Sequence, residues 1–493
     1  MRIFLKQAFF IFLINCMAIS IFAQNKIAKN ENLYRPAIHF TPLKGWMNDP
    51  NGMFYKDGLY HVYYQHYPDS TVWGPMHWGH ATSTDLLHWK HQPIAIYPDS
   101  IGMIFSGSAV VDENNTSGLG EMGKGPIVAI FTQHNMAGEK AGKIDFQNQS
   151  IAYSNDNGYT WKMYAGNPVI KNPGINDFRD PKVIWHAASK KWIMTLAVKN
   201  KVSFYSSPNL INWTKTSDFG ENIGNHDGVW ECPDLFPLQY KDSTYWVLTS
   251  SINPGGPNKG SATQYFIGQF DGQSFTSFSQ QTKWMDYGTD NYAGVTFSNT
   301  GNKRISIGWM SNWLYAQQVP TIQWRSALTV ARNLKLEKVG AEFYLSSFPL
   351  SEMKFNKAGF VIDATRINSL PFKLSMQTKQ LASYTITLSN DLGESVQFGY
   401  DQTNHQYFVD RSKAGVASFH KEFAAKHTAP RIAQGQLSNL EVIIDKTSIE
   451  LFADDGLSVM TDIFFPSAAF HKMTIQTEDS LLKKSFQMSY LRP

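Results

Sequence analysis

Short runs of apolar and aromatic residues alternate along this chain with clusters of Gly, Asn, Asp and Pro. Residues 60–64 (YHVYY), 127–131 (IVAIF) and 245–249 (YWVLT) are examples, each of strand length and bounded by turn-forming residues. Beyond the first two dozen residues, no long stretch keeps its apolar positions at a helical spacing. The pattern predicts an all-β protein. The exception is the N-terminus, where Arg2 and Lys6 precede an apolar run at 8–23 broken mainly by Asn15 and Ser20. A basic start, a short apolar region and a small closing residue predict a secretory signal over residues 1–23, cleaved after Ala23. The run is short of the roughly 20 apolar residues that span a membrane. Cys16 fits a lipidation site poorly, because Asn15 occupies the place of a small residue and the apolar run continues past it.

A local repeat refines the class. Residues 83–89 (STDLLHW) are echoed at 154–161 (SNDNGYTW), at 207–213 (SPNLINW) and, more weakly, at 270–275 (FDGQSF). Each joins an Asp or Asn, whose side chain can bond the local backbone, to an aromatic anchor. The anchors Trp89, Trp161, Trp213 and Phe275 recur after 72, 52 and 62 residues. A multi-strand unit of that length predicts propeller blades with inserted loops, although common hairpin turns recurring independently would read the same way. From about Phe355 there is no further Trp, and residues 440–452 (LEVIIDKTSIELF) read as strand, turn and strand. That texture predicts a β-sandwich over 356–493 behind a propeller at 33–350.

Composition narrows the partners. The chain of 493 residues is 42% hydrophobic and 14% aromatic, which excludes a largely disordered protein. Its net charge of +4 falls to about +2 once Arg2 and Lys6 leave with the signal, so charge argues for neither nucleic acid nor an anionic membrane. Of two cysteines only Cys232 remains in the mature chain, which excludes an internal disulfide and a four-cysteine zinc site. The partner expected is neutral. Residues 118–123 match G-x-G-x-x-G but lead into a strand rather than a helix, and His77 and His80 lack the helical setting of a zinc protease.

Three acids stand out by context: Asp49 in 46–52 (WMNDPNG), Asp180 in 178–182 (FRDPK) and Glu231 in 230–234 (WECPD). Each follows an aromatic residue and precedes a Pro within two positions. Taken singly, such pairs are what turns present. Taken together they alternate with the repeat anchors, as if each blade supplied one inner-strand element and one outer hairpin. Acids far apart in sequence would then converge on a central channel, where glycoside hydrolysis needs one group to attack or activate water and another to protonate the leaving oxygen. Trp46, Trp73, Trp78, Phe105, Trp309 and Trp313 sit beside polar motif residues and are candidates to pack on the C–H faces of a sugar.

These motifs, with 105–108 (FSGS), 179–181 (RDP), 286–293 (DYGTDNYA), 309–313 (WMSNW), 407–411 (YFVDR) and 444–450 (IDKTSIE), resemble glycoside hydrolase family 32, the invertases, inulinases and levanases. The resemblance spans nearly the whole mature chain. It implies a five-bladed propeller followed by a β-sandwich, and a retaining β-fructosidase that needs no metal or other cofactor. It assigns Asp49 as nucleophile, Glu231 as general acid/base and Asp180 as the acid that stabilises the transition state. It places Asn48, Gln65, Trp73, Phe105, Ser106 and Arg179 around the terminal fructose, with Asp290 and Trp313 added to them. Ala331 departs from the family's frequent Pro before Arg, outside the catalytic motifs. The implied substrate is a fructose-containing oligo- or polysaccharide, attacked from its end.

Overall fold

The computed structural model describes residues 30–350, 355–360, 365–368 and 370–491; the expected signal at 1–23 lies outside them. Among the described residues, five sheets built mainly from consecutive antiparallel strands precede two six-stranded sheets. The innermost strands of the five are Gly45–Lys56, Met103–Val111, Phe178–His186, Val229–Tyr240 and Tyr292–Thr296, here taken as blades I to V. Each inner strand packs against the next, and that of blade V against that of blade I, so the ring closes as a five-bladed propeller. Inner strands are buried on both faces, and Gly45–Lys56 has no exposed residue along its length. Closure is reinforced where Trp324–Arg325, late in the chain, pairs in parallel with Gly45 and Trp46.

The sequence repeat is the hairpin between the third and fourth strands of blades I to IV. Asp85 Oδ1 accepts from the backbone N–H of Leu87 (3.0 Å) and His88 (2.8 Å), and Asn209 Oδ1 accepts from Ile211 (3.2 Å) and Asn212 (2.9 Å). Asp156 Oδ1 accepts from Thr160 (2.9 Å), and Asp271 Oδ1 from Gln273 (2.8 Å) and Ser274 (2.7 Å). A carboxylate or amide that satisfies two turn N–H groups needs nothing from the rest of the fold. That independence is why the motif was visible in one dimension. Blade V turns instead at Gly340, whose φ of 63° suits a residue without Cβ.

The last propeller strand is Glu342–Pro349 and the first sandwich strand Phe355–Phe360. Alternation is clean in the sandwich: Phe372, Leu374 and Met376 on one sheet face Tyr384, Ile386 and Leu388 on the other within a single apolar cluster. A fully buried side chain of this kind stabilises by about 1.5–3 kcal/mol.

The interface between the two units sets buried ion pairs among apolar contacts such as Ile38 and Val330 against Ile443, Phe452 and Val459. Arg332 of the propeller bonds Asp286 at 2.9 Å and reaches Glu450 of the sandwich, while His39 bridges Asp445 (2.9 Å) and Glu450 (2.7 Å).

Candidate active site

Each of the five inner strands breaks register at one end. The irregularities fall between Met47 and Pro50, between Ile104 and Gly107, opposite Arg179–Lys182, between Glu231 and Asp234, and between Tyr292 and Val295. A bulge re-aims side chains and leaves a residue unpaired, which is where a strand tolerates Pro. Pro181 and Pro233 fall among the unpaired residues and Pro50 directly follows them, so the Asp-Pro and Cys-Pro pairs belong to bulges inside strands rather than turns between them. Asp180 and Cys232 adopt positive φ (63° and 43°), a conformation that costs non-glycine residues of order 1 kcal/mol or more and clusters at functional sites.

The bulges bring residues from all five blades to one mouth of the channel. Ser106 donates to Asp49 Oδ2 at 2.7 Å, joining blades II and I. The Cys232 thiol of blade IV contacts that same Oδ2 at 3.5 Å and Asp180 Oδ2 of blade III at 3.7 Å, and its N–H donates to Asp180 at 3.1 Å. Arg179 donates to Glu231 Oε1 through Nη2 (3.0 Å) and Nε (3.3 Å) and also pairs with Asp177. Tyr292 of blade V donates its hydroxyl to Glu231 Oε2. Two residues further along, Lys182 and Asp234 form a buried ion pair at 3.3 Å and Asp234 accepts from Thr296, which ties blades III, IV and V together.

Burial and crowding at the mouth raise the proton affinity of Asp180 and Asp49. Burial pushes the Asp180 carboxyl up to about 7; Arg179 opposes the rise, and Glu231 and Asp49 add to it. Burial and then the Glu231 charge raise Asp49, against hydrogen bonds from Ser106 and Asn48. Burial and all three acids hold the Cys232 thiol protonated. Asp49 Oδ1, Asn51 Nδ2 and Gln65 Nε2 are buried without a hydrogen-bond partner among the described residues.

The aromatic candidates divide. Trp73, Phe105 and Trp313 are half-buried at the mouth: Trp73 meets Phe105 edge-on at 6.0 Å, Phe105 stacks on His134 at 4.2 Å, and Trp313 stacks on Trp46 at 5.9 Å. Trp46, Trp78 and Trp309 are fully buried and belong to the core. Trp46 still acts locally, since its Nε1 donates to Asn48 Oδ1 at 2.7 Å. Trp78 is spent on packing against Phe131, with its Nε1 on the Phe105 carbonyl.

Asp290 does not join the site. It is fully buried between propeller and sandwich, with Oδ2 bonded to Arg411 (2.6 Å) and Ile463 N–H (3.0 Å) and Oδ1 to the Tyr315 hydroxyl (2.7 Å). Both oxygens are taken by the protein, which leaves none for a sugar. Tyr292 and Asp177 were missed. Tyr292 stood within a quoted motif, but nothing local distinguishes it from a core tyrosine. Nothing local marks Cys232 as a neighbour of two acids; it meets them from the bulge, where its φ is positive. No cluster of three or more His, Cys, Asp or Glu suited to a metal ion occurs among the described residues.

Comparisons with known proteins agree with this architecture. The profile "Glycosyl hydrolases family 32 N-terminal domain" matches residues 39–347, and "Glycosyl hydrolases family 32 C terminal" matches 345–489. The levanase of Bacillus subtilis (strain 168) is 44% identical over 461 residues, covering 88% of this chain and 66% of its own, just under two thirds of its length. The extracellular exo-inulinase of Aspergillus niger is 39% identical over 494 residues, covering 90% of this chain and 92% of its own. Among solved structures, the Schwanniomyces occidentalis fructofuranosidase complexed with fructose superposes with a TM-score of 0.84 at 35% identity, covering 94% of this chain and 99% of that one. With profiles matched end to end across both units, the chain belongs to glycoside hydrolase family 32.

Proposed function

We propose that the chain is an exported glycosidase that cleaves β-fructofuranosidic bonds with retention, releasing fructose from the ends of fructans and from sucrose. In this reading residues 33–350 are the catalytic unit and 356–493 the accompanying sandwich. The observation that carries it is the different tethering of two carboxylates. Asp49 is held through Oδ2 by the neutral donors Ser106 and Cys232, leaving Oδ1 unengaged. Glu231 is the more exposed, its side chain 20% accessible, and is gripped by Arg179 and Tyr292.

The chemistry follows from that division. Asp49 Oδ1 attacks the anomeric carbon as the bond to the leaving oxygen breaks, and Glu231 gives that oxygen its proton. Ionised Glu231 then takes a proton from water, whose oxygen displaces Asp49 and frees fructose. Asp180 stays aside as a hydroxyl acceptor that strengthens its grip as charge develops on the ring. Asn48, Gln65 and Arg179 supply polar contacts, and Trp73, Phe105 and Trp313 apolar walls, for a neutral sugar.

Several observations support the reading. The relatives are named levanase, exo-inulinase and fructofuranosidase, and the last is complexed with fructose. Export is supported by the basic, apolar N-terminus and by the extracellular exo-inulinases. A chromatographic time course on levan, inulin and sucrose tests it. Fructose as the first and dominant product from each supports exo-hydrolysis, oligosaccharides appearing first would replace it with endo attack, and lengthening fructans would make the chain a transferase.

A further inference from the structure

Arg411, on the sandwich strand Gln406–Lys413, is 1% exposed. Its guanidinium donates to the Phe423 carbonyl (2.7 Å), Asp290 Oδ2 (2.6 Å), the Ile463 carbonyl (2.9 Å), Thr289 Oγ1 (3.1 Å) and the Tyr315 hydroxyl (2.9 Å). It lies 4.1 Å above the Phe423 ring. The segment it grips is pinned again by sandwich backbone, because Asp290 N–H donates to the Thr461 carbonyl at 3.0 Å and Asp290 accepts from Ile463. A buried ion pair adds little net stability over well-packed apolar residues, but breaking one is costly and it admits few geometries.

Two residues after Asp290 the chain enters the inner strand of blade V at Tyr292, whose hydroxyl bonds Glu231. Thr289 is also tied through its carbonyl to Asn312 Nδ2 (2.8 Å), next to Trp313 of the site. One cluster therefore locks both segments that blade V contributes to the mouth.

We propose that Asp290, clamped by Arg411, is a positioning residue that holds the Tyr292 hydroxyl on Glu231, so that the β-sandwich takes part in proton delivery. The proposal rests on Glu231 being the proton donor. Asp290 touches no substrate; it acts through Tyr292.

Asp290→Asn, Tyr292→Phe and the double variant of the full chain test it, assayed on sucrose and on p-nitrophenyl β-fructofuranoside, whose leaving group needs no proton. Asp290→Asn is expected to lower kcat on sucrose about tenfold or more, with KM within about twofold and the activated substrate far less affected. The double variant is expected to be no slower than Tyr292→Phe alone, because both remove one interaction. Multiplying effects, equal losses on both substrates, or wild-type kcat in either single variant would overturn the proposal. Should Asp290→Asn not fold, Arg411→Lys keeps the charge, loosens the clamp and is read in the same way. Asn390→Ala removes a buried tether in a remote sandwich hairpin, and it separates loss of stability from loss of positioning by leaving kcat on sucrose unchanged. Full activity in Glu231→Gln would instead sink the reading of Glu231 itself, a result distinct from any of these.

Discussion

Ser106 donates a 2.7 Å hydrogen bond to Asp49 across the gap between blades II and I, on the oxygen that the Cys232 thiol also meets. The bond favours the ionised carboxylate and so works against the upward pull of burial and of Glu231 on Asp49. Removing it as Ser106→Ala raises the pKa of Asp49 further. A hydrogen bond to a charged group contributes roughly 1.5–3 kcal/mol in favour of the charged form. The acidic limb of the kcat/KM profile is therefore expected to move to higher pH, and an unmoved limb would show that Asp49 does not govern it.

In the proposed mechanism, Asp49→Ala and Glu231→Ala remove the nucleophile and the proton donor. Each is expected to cut turnover on sucrose by about a thousandfold or more, with circular dichroism and Tm near those of the parent. Near-normal activity in either variant removes that residue from the mechanism.

Asp180→Asn should kill activity yet stabilise the fold. The folded Asp180 titrates at about 7 because burial and the neighbouring acids disfavour its charge, whereas an unfolded Asp titrates at about 3.9. A raised folded pKa means stability that is complete below about pH 4 and is lost as pH rises through about 7. The variant escapes that loss, so its Tm should match the parent near pH 4 and exceed it by about 2 °C or more at pH 8. A variant less stable than the parent at pH 8 would show that Asp180 is needed to hold Arg179 and Cys232.

His39 gives the opposite dependence. Burial opposes its charge, but hydrogen bonds to Asp445 and Glu450 outweigh burial and push it up to about 9. Its contribution is therefore fully present below about pH 6.5 and lost as pH rises through about 9. Calorimetry should show Tm falling by a few degrees, on the order of 2–5 °C, between pH 7 and 9.5, and His39→Gln should flatten that part of the curve. A parent Tm flat across this range would mean that the bridge carries no linked proton.

What could be read in one dimension is what local chemistry decides. The hairpins at Asp85, Asp156, Asn209 and Asp271 are satisfied within a few residues, so their motif stands out whatever surrounds it. The Asp-Pro and Cys-Pro pairs were visible for the same reason, although they mark bulges rather than turns. Family motifs carried the three acids and Ser106 to one mouth. Asp290 belongs to the same motif stretch as Tyr292, yet its partner Arg411 lies 121 residues away in the other unit. Trp78 and Trp313 have similar polar neighbours in sequence, but only Trp313 reaches the mouth, since Trp78 lies on the third strand of blade I and packs against Phe131. Residue types and short spacings determined the strands, the hairpins and the candidate acids by themselves. The pairing of Asp49 with Ser106, of Glu231 with Tyr292 and of Asp290 with Arg411 was decided by ring closure and by the docking of the sandwich, because contacts between distant strands depend on register and burial that no local run of residues encodes.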